Sequence, residues 1–122
     1  MNLFNNNIRD EGAAAIADAL KGNGVLTSLD VSFNKLTEVA ALGIIRVERH
    51  RNKLTSLGLA RCQIGPSGAA ELAEYVSGSE VLTKLVLWLN TKFNYPPGGI
   101  GWPEKNMLRH AASGRVGFEL KM

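Results

Sequence analysis

Apolar residues return along this chain at a fixed step of 28. Leu26, Leu54 and Leu82 share that spacing, as do Leu29, Leu57 and Leu85, and as do Leu3, Val31, Leu59 and Leu87. Two further columns follow it: Asn6, Asn34, Cys62 and Asn90, then Ile8, Leu36 and Ile64, a run that ends when Lys92 takes the next place. Inside each unit the alternation of Leu29, Val31 and Phe33 with Asp30 and Ser32 has the period of two that predicts a short strand. A helical stretch follows each strand. In Arg9 to Leu20, Asp10 is placed to cap the helix and Ile16 and Leu20 share one face, with Gly22 placed to end it. In the third unit Pro66 falls near the first helical position and Gly78 past the last. One strand and one helix per unit require parallel strands joined by helical crossovers.

The second unit reads Leu26 to Leu36 as L-T-S-L-D-V-S-F-N-K-L and the third reads Leu54 to Ile64 as L-T-S-L-G-L-A-R-C-Q-I. With Gly12-Ala13-Ala14 and Gly68-Ala69-Ala70-Glu71-Leu72-Ala73 opening the helices, these units resemble leucine-rich repeats of the ribonuclease-inhibitor type. The resemblance covers residues 2 to 90. It implies an α/β fold, a short right-handed solenoid with parallel strands on the concave face and helices on the convex face, and protein binding as its work. The expected organisation is repeats over 1–92, the first one truncated, and a Pro/Gly-rich loop with a capping helix and tail over 93–122.

The departures from the repeat carry the functional expectations. Leu3 occupies the column of Val31, so the first unit lacks counterparts of Leu26 and Leu29 and the solenoid starts in mid-strand. Each unit covers its apolar face with a neighbour, so that edge invites a partner protein, a second copy of the chain, or upstream sequence. In the second unit Glu48 replaces Leu20 and Val76, and His50 replaces Gly22 and Gly78, which predicts a shifted or shortened helix. After Asn90 the run Thr91 to Trp102 can turn but not propagate a helix. Pro103 restarts one whose apolar face is Met107, Leu108 and Ala111, while Phe93, Tyr95 and Trp102 are expected to fold over the last repeat.

Side chains on the strands that do not point inward give the candidate surface. Its columns are Asn2, Asp30, Gly58 and Val86; Phe4, Ser32, Ala60 and Trp88; and Asn5, Phe33, Arg61 and Leu89. Aromatic anchors beside an arginine are what protein interfaces favour. Phe4, Phe33, Arg61, Val86, Trp88 and Leu89 are therefore the candidate protein-binding residues.

Charge and composition narrow the chemistry. The 122 residues carry 14 Lys and Arg against 11 Asp and Glu, a formal charge of +3. The segment Arg46 to Lys53 contributes four cations and one carboxylate, so Arg46, Arg49, Arg51 and Lys53 form a candidate basic patch; cations at a helix end also complement its dipole. Nucleic-acid binding asks for a larger basic footprint with interleaved aromatics. With one cysteine and two histidines, neither a disulfide framework nor a thiolate metal site can be built. Cys62 stands in the asparagine column and His50 and His110 have no reason to meet. No phosphate-binding glycine motif occurs, since Gly98-Gly99-Ile100-Gly101 is not followed by Lys and Ser or Thr. No apolar run is long enough to span a bilayer, and no signal peptide opens the chain. The expectation is an intracellular, cytoplasmic, non-catalytic interaction module without cofactor or metal. The alternative is a regulator of an enzyme, either an inhibitor or a GTPase activator, in which Arg61 would act on the partner.

Overall fold

Three repeats and a C-terminal extension share one parallel sheet. The computed structural model describes residues 1–88, 90, 102–115 and 117–122, with the backbone alone for 102–104. Its elements alternate: α1 (Arg9–Lys21), β1 (Ser28–Asp30), α2 (Glu38–Arg51), β2 (Ser56–Gly58), α3 (Pro66–Gly78), β3 (Lys84–Val86), α4 (Trp102–Ala112) and β4 (Glu119–Lys121). The sheet order is β1-β2-β3-β4, all parallel, and Leu29, Leu57 and Leu85 lie opposite one another in register with Leu120. Asn2 adds a single parallel bridge to Asp30. The expected α/β solenoid is therefore the observed fold.

The repeating apolar columns are the core. Leu29, Leu57, Leu85, Val31, Leu59, Leu87, Leu36 and Ile64 are buried between sheet and helices, joined by Ile44, Leu72 and Leu108 from α2, α3 and α4. Each fully covered leucine contributes on the order of 2 kcal/mol by removing its apolar surface from water. Polar columns fasten one repeat to the next. The Asn34 side chain accepts from Asn6 N at 2.6 Å and donates to Leu3 O at 2.7 Å. Asn90 repeats this on the third turn, accepting from Cys62 N at 2.8 Å and donating to Leu59 O at 2.8 Å. The hydroxyls of Thr55 and Thr83 donate to Thr27 O and Thr55 O, each at 3.1 Å.

Four details differ from the sequence reading. Asp10 does not cap α1: it lies inside the first turn, and its carboxylate accepts from the Thr37 backbone N–H and hydroxyl at 2.9 and 2.7 Å. Glu38 repeats the role one unit on, accepting from Gly65 N at 2.5 Å, and the missing Cβ of Gly68 leaves room for that carboxylate. The second helix is not shortened, since α2 has 14 residues against 13 in α1 and α3. Asn52 ends it in the left-handed conformation, φ 49°, which asparagine tolerates, and His50 stays within the helix. Gly78 is the last helical residue of α3, with Ser79 as its cap. On α4, Leu108 is buried but Met107 is exposed. The segment expected to fold over the last repeat through Phe93, Tyr95 and the Trp102 side chain lies outside the described residues.

Candidate functional site

The strands are only three residues long, and this decides how the outward residues are presented. Beyond Asp30 the chain leaves the strand, so Phe33 does not continue the alternation expected of it. It occupies the left-handed region at φ 61°, as do Asn5 at 58° and Arg61 at 52°, its partners at the 28-residue step. Two residues on, Asn7, Lys35 and Gln63 form a second left-handed row. Left-handed backbone costs a residue with a Cβ roughly 1 to 2 kcal/mol, and asparagine less than most. The first repeat fills both rows with asparagine; the next two place Phe, Arg, Lys and Gln there.

The result is a ledge at the C-terminal ends of the strands. The rings of Phe4 and Phe33 lie 5.0 Å apart, tilted by 45°, and the Arg61 guanidinium sits 5.7 Å from the Phe33 ring centre. Phe4 is 47% exposed and Trp88, in the Phe4 column, 46%. Between those two aromatics the column is filled by Ser32 and Ala60, both buried, and the Ser32 hydroxyl is turned to accept from Ala60 N at 2.8 Å. Beside the ledge a groove of about 480 Å³ is lined by Asn5, Phe33, Lys35, Arg61 and Gln63. Val86 is half-buried on β3. Leu89 lies outside the described residues. Lys35, Gln63 and Asn5 were not singled out by sequence; the paired asparagines of the first repeat are the signal that marks both rows as left-handed.

The basic segment on α2 has a different fate. Arg46 makes two hydrogen bonds to Glu71 of α3, at 2.7 and 3.1 Å, and these hold the Glu71 carboxyl below the usual carboxylate range. Arg49 pairs with Glu74 at 3.4 Å. Arg51 turns inward onto Glu48, which is fully buried: one Glu48 oxygen meets Arg51 at 2.8 Å and the other accepts from Lys53 N and Leu54 N, both at 2.7 Å. Arg51 also donates to Asn23 O at 2.6 Å and to Leu26 O. Arg46, Arg49 and Arg51 are thus each paired with a carboxylate, while Lys53 is exposed. Through these pairs Glu71 and Glu74 tie α3 to α2.

A hollow of about 770 Å³ at the ends of α1 and α2 is lined by Lys21, Arg46, Val47, His50, Arg51 and Lys53 together with residues 22–24. Glu71 and Glu48 have already engaged its two arginines. Cys62 is buried; loss of solvent, with the Asp30 charge adding to it, pushes its thiol up to about 12, which leaves it protonated and inert at neutral pH. His50 and His110 are exposed on separate helices. Among the described residues no cluster of three His, Cys, Asp or Glu side chains could hold a metal ion. No described helix is long and apolar enough to cross a membrane.

Comparison with known proteins decides the family. The Leucine Rich repeat model matches residues 2–17, 22–44 and 50–73, more than half of the chain. The protein belongs to the leucine-rich repeat family. No curated protein matches it. Among solved structures this leucine-rich repeat chain is similar to "Leiomodin-1 Actin-Binding Site 2 (ABS2)", with a TM-score of 0.81 at 17% identity, covering 99% of this chain and 68% of that one. At that identity the similarity speaks for the fold. As a leucine-rich repeat protein the chain is a protein-interaction module by architecture, and it presents its ledge on the strand-lined side.

Proposed function

We propose that this is a leucine-rich repeat module of the ribonuclease-inhibitor type that binds a protein partner through its strand-lined face, with Phe4, Phe33, Arg61, Val86 and Trp88 as the contact residues and Leu89 beside them. One observation carries the reading. Phe33 and Arg61 hold large side chains on left-handed backbone in a column where Asn5 sits with less strain. Phe33 packs against the exposed Phe4 ring and Arg61 lies over Phe33, at the surface rather than in the core. Strain of that kind persists where the exposed side chain serves a purpose, and aromatic and arginine side chains are the usual anchors of protein interfaces.

The test is capture of a partner by the wild-type chain and by Phe33→Asn, Trp88→Ala and Val39→Glu chains. Phe33→Asn trades about 1 kcal/mol of backbone strain against an aromatic contact of similar size, so its stability stays within about 1 kcal/mol of wild type. The partner is retained by wild type and by the helix-face variant Val39→Glu, and lost by the other two. Equal retention by all four chains contradicts the reading. Actin is a defined first probe, given the similarity to Leiomodin-1 ABS2. The alternative, an enzyme regulator, is distinguished by an Arg61→Ala chain that still binds its target but no longer changes the target's turnover.

A second contact at the first repeat is favoured by Leu3, Ile8 and Ile16. They pack on the core yet stay partly open, where Val31, Leu36 and Ile44 of the next repeat are fully covered. Association through that edge, with a second copy of the chain, predicts a dimer mass in solution that a Leu3→Glu chain loses. A monomer mass across the concentrations used for capture excludes it.

A further inference from the structure

We infer that the groove beside Phe33 takes an acidic segment of the partner, with carboxylates on Lys35 and Arg61 and an apolar side chain on the Phe33 ring. The inference rests on the strand-lined face being the binding face and adds the chemistry of what binds there. It follows from where the positive charge is left over. Each arginine of α2 has a carboxylate partner, Glu71 for Arg46, Glu74 for Arg49 and Glu48 for Arg51. In the groove the lining holds two cations, two amides and an aromatic ring, and no carboxylate. Both cations are exposed, and among the described residues neither forms an ion pair.

Of the nearby acids, Asp30 and Asp10 are engaged by other groups. Asp30 turns one oxygen onto Ser32 N at 3.0 Å and packs against Gly58, where a Cβ would lie 2.7 Å from its Cγ. Asp10 and Glu11 line the neighbouring hollow together with Lys35 and Arg9, but both Asp10 oxygens are engaged by Thr37. Glu11 shares that hollow with the Arg9 cation. The left-handed rows set the direction in which Lys35 and Arg61 leave the backbone. A carboxylate between them would meet a guanidinium that can bond it in bidentate fashion, while Asn5 and Gln63 offer amide donors at the groove walls. The ring of Phe33 gives the segment an apolar seat, which a bare anion would not use.

Fluorescence anisotropy tests this with a short labelled peptide of glutamates around a single phenylalanine, beside the same peptide carrying glutamine for glutamate. The wild-type chain should prefer the glutamate peptide by at least about tenfold, a difference of about 1.4 kcal/mol, and the preference should shrink with added salt. A chain with Lys35→Gln and Arg61→Gln should lose it, and Gln63 already shows glutamine on this left-handed backbone. Lys53→Gln, at the end of α2, should change the affinity less than about twofold. Equal binding of the two peptides, an undiminished preference in the double variant, or an equal loss in Lys53→Gln overturns the inference. So does a single-stranded oligonucleotide that binds more tightly than the glutamate peptide. If partner capture depends on Phe33 while the acidic preference is missing, the inference fails and the binding face stands. If capture is indifferent to Phe33, the binding face itself fails.

Discussion

The arginines of α2 and the cations of the turn ledge are the same kind of residue in opposite states. Arg46 and Arg49 reach across to carboxylates 25 positions later in the sequence, and Arg51 is 6% exposed, folded onto a glutamate with no exposure at all. Lys35 and Arg61 face a groove whose lining has no acid. The net charge of +3 is thus a poor guide to where charge is available. What separates the two regions is register: neighbouring helices place residues 25 apart side by side, so α2 meets the acids of α3, whereas the turns stack residues 28 apart and bring Lys35 beside Asn7 and Gln63.

The strongest way to break this contrast is to remove the buried acid. Glu48→Ala leaves Arg51 buried and unpaired, and the expected loss is about 3 to 5 kcal/mol of unfolding free energy in urea. Glu48→Leu combined with Arg51→Met restores the apolar character of Leu20 and Val76 in that column and removes the unpaired charge, but it should recover only part of the loss, because the Lys53 and Leu54 N–H groups still lack their acceptor. A loss under about 1 kcal/mol in Glu48→Ala would show that the pair is not structural. Alkaline pH is the next probe. The Cys62 thiol is pushed up to about 12 by burial, and burial first, with Glu48 beside it, also raises the Tyr75 hydroxyl. The unfolded chain therefore releases these protons at lower pH than the folded one, so stability falls from about pH 9 to about pH 12. A Cys62→Ala chain should show a shallower fall, read from urea midpoints along the pH series.

Cys62→Asn sharpens the comparison from the other side. Asn34 and Asn90 each fasten a turn to the one before it through several hydrogen bonds, while Cys62 makes one contact, from its thiol to Ala60 O at 3.6 Å. An asparagine at 62 can bond the Asn34 and Leu36 backbone as Asn90 bonds that of Cys62 and Ile64, and should add about 1 kcal/mol in the same denaturation measurement. An unchanged or lowered midpoint would mean that the turn has no room for it. The smallest effect belongs to Arg46→Gln. The pair with Glu71 is largely exposed, so stability should change by less than about 0.5 kcal/mol. The Glu71 carboxyl, whose depressed value is lost with its partner, should titrate at higher pH by NMR.

Most of the fold is readable because burial recurs with the repeat: Leu29, Leu57 and Leu85 can be aligned by eye, and the sheet register follows them. The ledge is half readable. Phe33 and Arg61 are found by asking which strand-side residues are large, but extending the alternation past Asp30 misses that Phe33 sits on left-handed backbone, a three-dimensional fact hinted at only by Asn5 and Asn7. Glu48 reads as damage to the repeat because its compensation comes from Arg51, three residues on, and from the Lys53 and Leu54 N–H groups, whose positions depend on the turn at Asn52. Strand β4 does alternate, with Phe118, Leu120 and Met122 half-buried and Glu119 and Lys121 exposed between them, but Leu120 lies off the 28-residue step, so its pairing with Leu85 of β3 does not follow from the columns.

The central claim is that protein binds on the strand-lined side. Hydroxyl-radical footprinting of the chain, free and with its captured partner bound, tests it most directly. Protection of Phe4, Phe33 and Trp88, with Val39 of α2 and Met107 of α4 oxidised as before, is the expected result. Protection of Val39 and Met107 with the three aromatics unchanged would contradict it.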